Sequence, residues 1–494
     1  MKKIILIGLI AFSFTSCSNY LDINQNPNSP TEDNLNPSLI FPGAEMNLAN
    51  HYGDFLRLVG GYFAQHYAQD FGTSNYLDYS QWTMSATRSG RAYTQLSTLC
   101  LENLETVRNM ATASEDWGTY LAATTLRAFT FQVLADAYGE IPYTESLDVG
   151  NLSPHYDEGD VIYDGILKEL DDALANNVSP SSMVCKNFLF GSASTAADWI
   201  QLANALKLKI LMRESGVKDV KNELSKLIAE GNFPTKDVAW AGMWSDASGK
   251  ANPFYLEEFA TYFGSTQVNV VANLAIYQTM QSCNDARLEA VFNPNVEGNY
   301  TGSVSGSNFT GSTTYTNEYW CRPNISYNTP VYLITVSEIE FFLAEYYARY
   351  GGGDAEAHYK AAVEASFNTL GVSGAESVLA AYPWNTANYK QVIGIQKWVA
   401  LAGVNNFEAW CELRRLKYPA FGSVSGSDIY DDSSDASFAP DHYVPGTLYT
   451  PIKCNAELGK NTVLQRFPYP EASTSRNTNA PAAKLDNVPV FWAK

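Results

Sequence analysis

Apolar positions along the chain recur at three- and four-residue spacing in a series of segments, the signature of helices that bury one face. The pattern runs over 39–68, 92–110 and 117–138, then over 161–175 and 196–215. It resumes strongly over 337–350 and 355–370 and closes with a further helix over 393–416. Boundary residues agree with these spans. Gly139, with Pro142 beyond it, supplies a stop after 117–138, and Thr195 stands where the helix opening at Ala196 needs an N-cap. In FLAEYYARYGGGDAEAHYKAAVEASF, Leu343, Ala344 and Tyr347 line one face, a glycine turn follows, and Ala357, Tyr359 and Ala362 begin the next helix. Large-then-small spacing across a short turn is how tetratricopeptide helices nest. Residues 339–363 make the clearest such pair, with looser ones in 163–175 with 199–211 and in 117–138 with its predecessor. The spacing between pairs departs from a strict repeat of about 34 residues, so the pattern predicts TPR-like pairs and not a regular array.

Between about 234 and 329 the texture changes. Helical periodicity weakens, and Gly, Asn, Ser and Thr dominate around interleaved Trp and Tyr, as in GNYTGSVSGSNFTGSTTYTNEYWCRPN. This reads as a long insertion of ordered loops, and loops of that length in a folded body usually carry function. The tail from Gly422 is also loop-rich and holds an acidic cluster, Asp428, Asp431, Asp432 and Asp435.

The first residues have a separate logic. Lys2 and Lys3 precede an apolar run over 4–14, and Thr15 and Ser16 lead into Cys17. That is the layout of a bacterial signal peptide with a lipoprotein cleavage site; the run is shorter than the about 20 residues that span a bilayer. The expectation is removal of 1–16, acylation of Cys17, a Pro/Asn-rich tether over 17–38 and a single body over 39–494. Several acyl chains on one cysteine give stable anchoring that one chain does not. Losing 1–16 removes two lysines and no acid, which takes the net charge from -20 to -22. So acidic a protein does not bind phosphate backbones by bulk electrostatics, which argues against a nucleic-acid partner.

Four blocks carry a family resemblance: Cys17 followed by YLDINQNPNSPT; LRAFTFQVLADAYGEIPYTESL at 126–147; ITVSEIEFFLAEYYAR at 334–349; and IQKWVALAGVNNFEAWCELRRLKYP at 395–419, completed by RFPYPEASTSRN at 466–477. Together they resemble the SusD/RagB family of outer-membrane nutrient-binding lipoproteins of Bacteroidetes. The resemblance implies a mostly α fold, with TPR-like helix pairs forming a right-handed superhelical scaffold beneath an irregular, loop-rich ligand-binding face. It also implies a place at the cell surface as partner of a SusC-like, TonB-dependent transporter, receiving a glycan or, in some members, a peptide. The blocks themselves read as scaffold. Tyr138 and Tyr143 pack around the turn at Gly139, and Glu408, Trp410, Arg414 and Arg415 are spaced for ion pairs that fix one helix against its neighbours.

Glycan-binding members of that family use exposed aromatics backed by amides and carboxylates, because a sugar's C–H face stacks on a ring while its hydroxyls need fixed donors and acceptors. With 31 Tyr and 10 Trp, the useful filter is loop context. One cluster is Tyr76, Asp78, Tyr79, Gln81, Trp82 and Arg88; a second is Tyr315, Asn317, Tyr319, Trp320, Arg322 and Asn324; a third is Trp240, Trp244 and Tyr262, where Trp240 equally suits a core plug. Trp82 and Trp320 are the expected ligand contacts, with a fold that survives their loss.

Other chemistry is less favoured. No cofactor or structural metal is expected, since CxxC and HExxH are absent. The aspartate cluster has the oxygen atoms for Ca²⁺ but not EF-hand spacing, and a solvated acidic turn is the preferred reading. Cys283 and Cys321 flank a Gly/Ser/Thr-rich loop and are the best candidate disulfide pair. A secreted glycoside hydrolase would need two carboxylates about 5–10 Å apart across a cleft. But Glu338 and Glu340 begin a helix, Asp171 and Asp172 lie on a helix surface, and His51, His66, His155, His358 and His442 show no triad or metal spacing. His66 and His155 read as satisfied side chains. Binding is thus preferred to catalysis, with a lipid-anchored hydrolase or a non-binding surface adaptor as the alternatives.

Overall fold

The periodic segments do fold as helices, and their pairing sets the architecture of the computed structural model, which describes residues 35–71, 75–148, 150–261, 269–307, 311–316 and 318–494. The signal peptide, Cys17 and most of the tether lie outside the described residues. Helices longer than six residues are α1 (Pro37–His51), α2 (Arg57–Phe63), α3 (Ala86–Gln95), α4 (Glu102–Ala113), α5 (Trp117–Tyr138), α6 (Gly159–Ala175) and α7 (Ala196–Glu214). They continue as α8 (Lys221–Glu230), α9 (Leu274–Ser282), α10 (Val336–Tyr350), α11 (Ala355–Leu370), α12 (Ala375–Ala381), α13 (Tyr389–Leu401) and α14 (Asn406–Leu416). Helix α5 is buried along nearly its whole length and packs on α4, α6 and α7. Among the described residues, no helix is long and apolar enough to cross a membrane.

Local chemistry accounts for the boundaries. Thr195 and Thr335 close capping boxes with Asp198 and Glu338 at the starts of α7 and α10. Gly139 ends α5 at φ +83°, and a Cβ there would lie 2.7 Å from the Arg466 guanidinium, so only glycine fits both the turn and the contact. In the α10–α11 pair the Ser337 hydroxyl donates to the Ala362 carbonyl at 2.8 Å, and the Tyr347 and His358 rings stack at 5.1 Å across the turn.

Three spans differ from the periodicity. The pattern over 39–68 is interrupted by a π-helical turn at Tyr52–Leu56, and 92–110 by another at Leu96–Leu101. The expected helix over 393–416 is two helices: the chain turns after Leu401, and the Asn405 side chain caps α14 through the Glu408 N–H. The insertion over 234–329 is irregular but not detached: of three antiparallel two-stranded ladders, the first two fasten it to chain outside it and the third closes within it. They are β1 (Tyr67–Ala68) with β3 (Val271–Ala272), β2 (Val238–Trp240) with β6 (Val331–Ile334), and β4 (Phe292–Asn293) with β5 (Arg322–Pro323).

The charged residues of the sequence blocks meet in the interior. Arg213 of α7 is fully buried and donates to Asp136 of α5 at 2.6 Å and to Glu408 of α14. Lys209 lies 3.3 Å from Glu338 and 3.4 Å from Glu408. Lys397 of α13 donates to Glu412 at 3.0 Å, and Arg415 grips both Glu345, at 2.7 and 2.6 Å, and Glu412. Arg414 lies 3.5 Å from the Trp410 ring centroid and donates to the Asp136 and Gln465 carbonyls. Trp492 closes the set from the chain's end, its indole N–H donating to Asp136 at 2.8 Å. The acids Asp136, Glu338, Glu345, Glu408 and Glu412 are paired with Lys209, Arg213, Lys397 and Arg415, while Arg414 is held by backbone carbonyls and the Trp410 ring. Removing one partner strands a buried charge, which costs about 3–5 kcal/mol. Arg213→Met or Glu408→Gln is therefore expected to lose that much in urea denaturation, whereas Asp172→Ala, which removes an exposed helix-surface pair with Lys168, leaves the midpoint unchanged.

His66 sits in the same core. Its Nε2–H donates to the Trp398 carbonyl at 3.0 Å, and its Nδ1 accepts from the Asn406 amide at 2.9 Å, so the ring is a neutral core histidine. Burial depresses its pKa from 6.5 to about 3, against the pull of the Trp398 carbonyl. The unfolded chain binds the proton first. The contribution of His66 to stability is thus complete above pH 6.5 and is lost as pH falls toward 3. His66→Gln is expected to make the denaturation midpoint less dependent on pH across that window.

Candidate ligand-binding site

The second aromatic cluster is assembled where the β4–β5 ladder and two loops converge. Phe71 and Tyr430 stack at 4.7 Å, Phe71 meets Trp320 edge-on at 5.0 Å, and these three are buried. On this floor Tyr315 stacks against Trp320 at 5.6 Å, with Tyr319 and Phe438 edge-on to Tyr315 at 4.8 and 4.9 Å. Tyr315, Tyr319 and Phe438 are half-buried, so part of each ring remains accessible. Their backbone is fastened. Asp435 accepts from the Thr313 and Thr314 N–H groups at 3.1 and 3.0 Å, the Ser312 hydroxyl accepts from the Tyr315 N–H at 2.8 Å, and the Tyr319 carbonyl accepts from Asn295 at 3.0 Å. Asp70 lies next to the floor. Its carboxyl is pushed up to about 7 by burial, opposed by the Phe71 N–H, Trp320 and Arg322. A held group of rings beside a carboxyl and a guanidinium has the parts that a sugar ring requires. Asn324 is engaged elsewhere, donating to the Ala290 carbonyl at 3.2 Å, and Asn317 lies outside the described residues.

Trp320 corrects the sequence reading. At 1 % exposure it supports the rings above it and offers no face to a ligand. The first cluster needs the same correction. Trp82 is 0 % exposed, its indole N–H donating to the Tyr62 carbonyl at 3.2 Å, so it is a core plug. Tyr79 is buried too, stacked on Tyr76 at 5.5 Å and covered by the Arg88 guanidinium 5.0 Å from its centroid. What this cluster presents is Arg88, ion-paired with Asp78 at 3.4 Å, and the edge of Tyr76, whose hydroxyl donates to Glu258 at 2.6 Å. Gln81 is turned to the Gly306 carbonyl at 3.1 Å.

Of the third cluster, Tyr262 lies outside the described residues and Trp240 is core, its N–H facing Glu45 at 3.4 Å. Trp244 is 8 % exposed and donates to the Trp240 carbonyl at 2.7 Å. One wall of a cavity of about 520 Å³ includes its ring.

The remaining polar candidates have local partners. Asp428 caps the turn at Ser425, Asp431 accepts from Ser433, and Asp432 pairs with Lys453 and Ser307. Among the described residues, no group of three or more His, Cys, Asp and Glu side chains is gathered as a metal site. His155 is an exposed residue bound to Glu145 at 3.0 Å. Cys283 and Cys321 are both free thiols; Cys283 turns back on its own helix carbonyls and Cys321 faces Thr301 and Asn299.

Sequence reasoning missed Phe71, Tyr430 and Phe438. The last two flank the acidic stretch YDDSSDASF, so the filter for aromatics in loops would have found them had it been applied to the tail. Trp82→Ala empties a fully buried site and is expected to cost about 3–5 kcal/mol, read as a lower denaturation midpoint with or without ligand. A variant with unchanged stability would contradict the core placement.

Comparison with known proteins agrees with this architecture. The SusD-like family described as "Starch-binding associating with outer membrane" matches residues 27–435. A SusD homologue from Bacteroides uniformis superposes with a TM-score of 0.75 at 21% identity, covering 92% of this chain and 99% of that one. A chitin-binding SusD homologue from Flavobacterium johnsoniae gives 0.72 at 17% identity over 93% and 98%. A SusD-like protein from Bacteroides thetaiotaomicron gives 0.70 at 18% over 92% and 98%. No curated protein sequence matches the chain. With most of its length matched, the chain belongs to the SusD-like family.

Proposed function

We propose that this protein is a lipid-anchored, cell-surface binding protein that captures an oligosaccharide and hands it to a SusC-like, TonB-dependent transporter in the outer membrane. The observation that carries the binding half is the Tyr315–Tyr319–Phe438 group, accessible above and braced from below by Trp320. Rings already held in place lose little freedom when a sugar stacks on them, and that preorganisation favours affinity. The chitin-binding relative and the starch-binding description of the family support a glycan over a peptide. Binding is favoured over hydrolysis, because the carboxylates earlier weighed as a catalytic pair have structural duties. Glu338 caps α10 and faces Lys209, and Asp171 pairs with Lys207 on the surface. The delivery half rests on family membership, and acylation of Cys17 would set the protein at the membrane.

The test joins both halves. Native outer membranes, gently solubilised, are expected to yield a large barrel protein with the tagged chain. In calorimetry against starch and chitin oligosaccharides, Tyr315→Ala and Tyr319→Ala should each weaken binding tenfold or more at unchanged helical content. A protein that binds no oligosaccharide yet still co-purifies with the barrel would point to the adaptor reading.

A further inference from the structure

The cavity bordered by Trp244 stands apart from the aromatic group and has different chemistry. Met46, Phe188, Met243, Trp244 and Leu256 give it apolar walls, and its volume lies within the range of small-ligand pockets. Its polar groups are Asn50 and His51 from α1, Asp54 from the π-helical turn, Arg91 of α3, Glu257 and the exposed Lys250. Arg91 is shared, at 2.8 Å from Asp54 and 3.4 Å from Glu257. A third carboxylate, Glu258, belongs to the same electrostatic group and is held by Tyr76 on one oxygen. One guanidinium, itself open to solvent, therefore serves three carboxylates.

The mismatch appears in the hydrogen bonding. Asp54 is 7 % exposed, and its Oδ1 is buried without a hydrogen-bond partner, as is Glu258 Oε2. Buried carboxylate oxygens without a donor are costly; Asp54 lines the cavity, so a bound ligand that brings a donor and a positive charge relieves its deficit directly and acts on Glu258, which does not line the cavity, through charge alone. His51 does not supply that charge, since burial and Arg91 hold its pKa down at about 4.

We propose that this cavity is a second binding site, which takes a primary ammonium group of a small ligand onto Asp54 and packs the ligand's carbon skeleton against Trp244 and the methionines. Two sources present that chemistry, an amino sugar and the amino terminus of a short peptide. The site makes no use of the Tyr315 group, so it stands or falls separately from the glycan reading.

The proton balance gives a distinctive readout. Burial pushes the Asp54 carboxyl up to about 7, with Arg91 opposing and Glu257 adding to the rise. Glu258 is likewise raised to about 8 by burial, despite the Tyr76 hydroxyl. Near pH 7 both carry protons part of the time, and a bound cation displaces them. The experiment is calorimetry on the whole protein with the glucosamine disaccharide and with dialanine amide, each beside its N-acetylated form, in two buffers of different ionisation enthalpy. Expected are binding of at least one free amine with proton release at pH 7, binding at least tenfold weaker after N-acetylation, and a tenfold or greater loss in Asp54→Asn. Which amine binds assigns the source. If Asp54→Asn does not fold, Glu257→Gln, a half-buried change, is expected to weaken the amine severalfold. Equal affinity for free and acetylated forms, binding without proton release, or no binding of either amine would overturn the proposal. Retention of amine binding in Tyr315→Ala separates this site from the aromatic group.

Discussion

A charge taken out of water must find its counter-charge inside, and in this protein that requirement ties five helices and the chain's last residues to one another. Arg213 reaches α5 and α14 simultaneously, Arg415 ties α14 to α10, Lys397 ties α13 to α14, and Trp492 brings the terminus onto Asp136. Buried ion pairs seldom add net stability over well-packed apolar side chains. Their consequence is register: a helix that slips by one residue leaves several charges unmatched at once. Gly60 adds a steric version of the same constraint, because a Cβ there would lie 2.5 Å from the Phe407 backbone, so the close packing of α2 on α14 depends on it.

This explains why the fold was legible in the sequence. The blocks at 126–147, 334–349 and 395–419 contribute every charged member of the network except Lys209 and Arg213, which lie on α7 between them. Helix existence followed from periodicity and from caps such as Thr195 and Thr335. Continuity did not. The π-helical turn at Tyr52–Leu56 is buried at all five residues, so no solvent-facing position marks it, and the turn before α14 sits inside a run whose residues are buried on both sides of it. Helix α9 was hidden by the polar composition of its surroundings, although Asn273 caps it through the Ala275 N–H at 2.9 Å.

The site was only half legible, for a definite reason. Loop context reports where the backbone runs but not where a side chain points. Trp82 and Trp320 come from loops, yet the Trp82 N–H is satisfied by a backbone carbonyl and its ring is enclosed, and Trp320 is the floor for Tyr315. A tryptophan has the area to anchor irregular backbone, and in these loops that use comes first. The smaller aromatics then inherit the accessible positions, which is the arrangement Tyr315, Tyr319 and Phe438 display.

Electrostatics sorts the interior into distinct solutions to one problem. In the network around Arg213, carboxylates are matched by cations. At Glu45, backbone N–H groups of Phe188 and Leu189, at 2.7 and 3.1 Å, take the place of a cation, and burial still pushes that carboxyl up to about 7. At Asp54 and Glu258 each carboxylate has one engaged oxygen and one without a donor. The first two arrangements hold the fold together; in the third, the deficit at Asp54 lies beside a cavity that this residue lines. Against a net charge of -20, a neutral glycan gains nothing from long-range attraction, so its selection must come from ring stacking and fixed hydrogen bonds at short range. A small cation gains from both the overall field and the local shortage of donors, and the same acidic composition that excludes nucleic acid favours it.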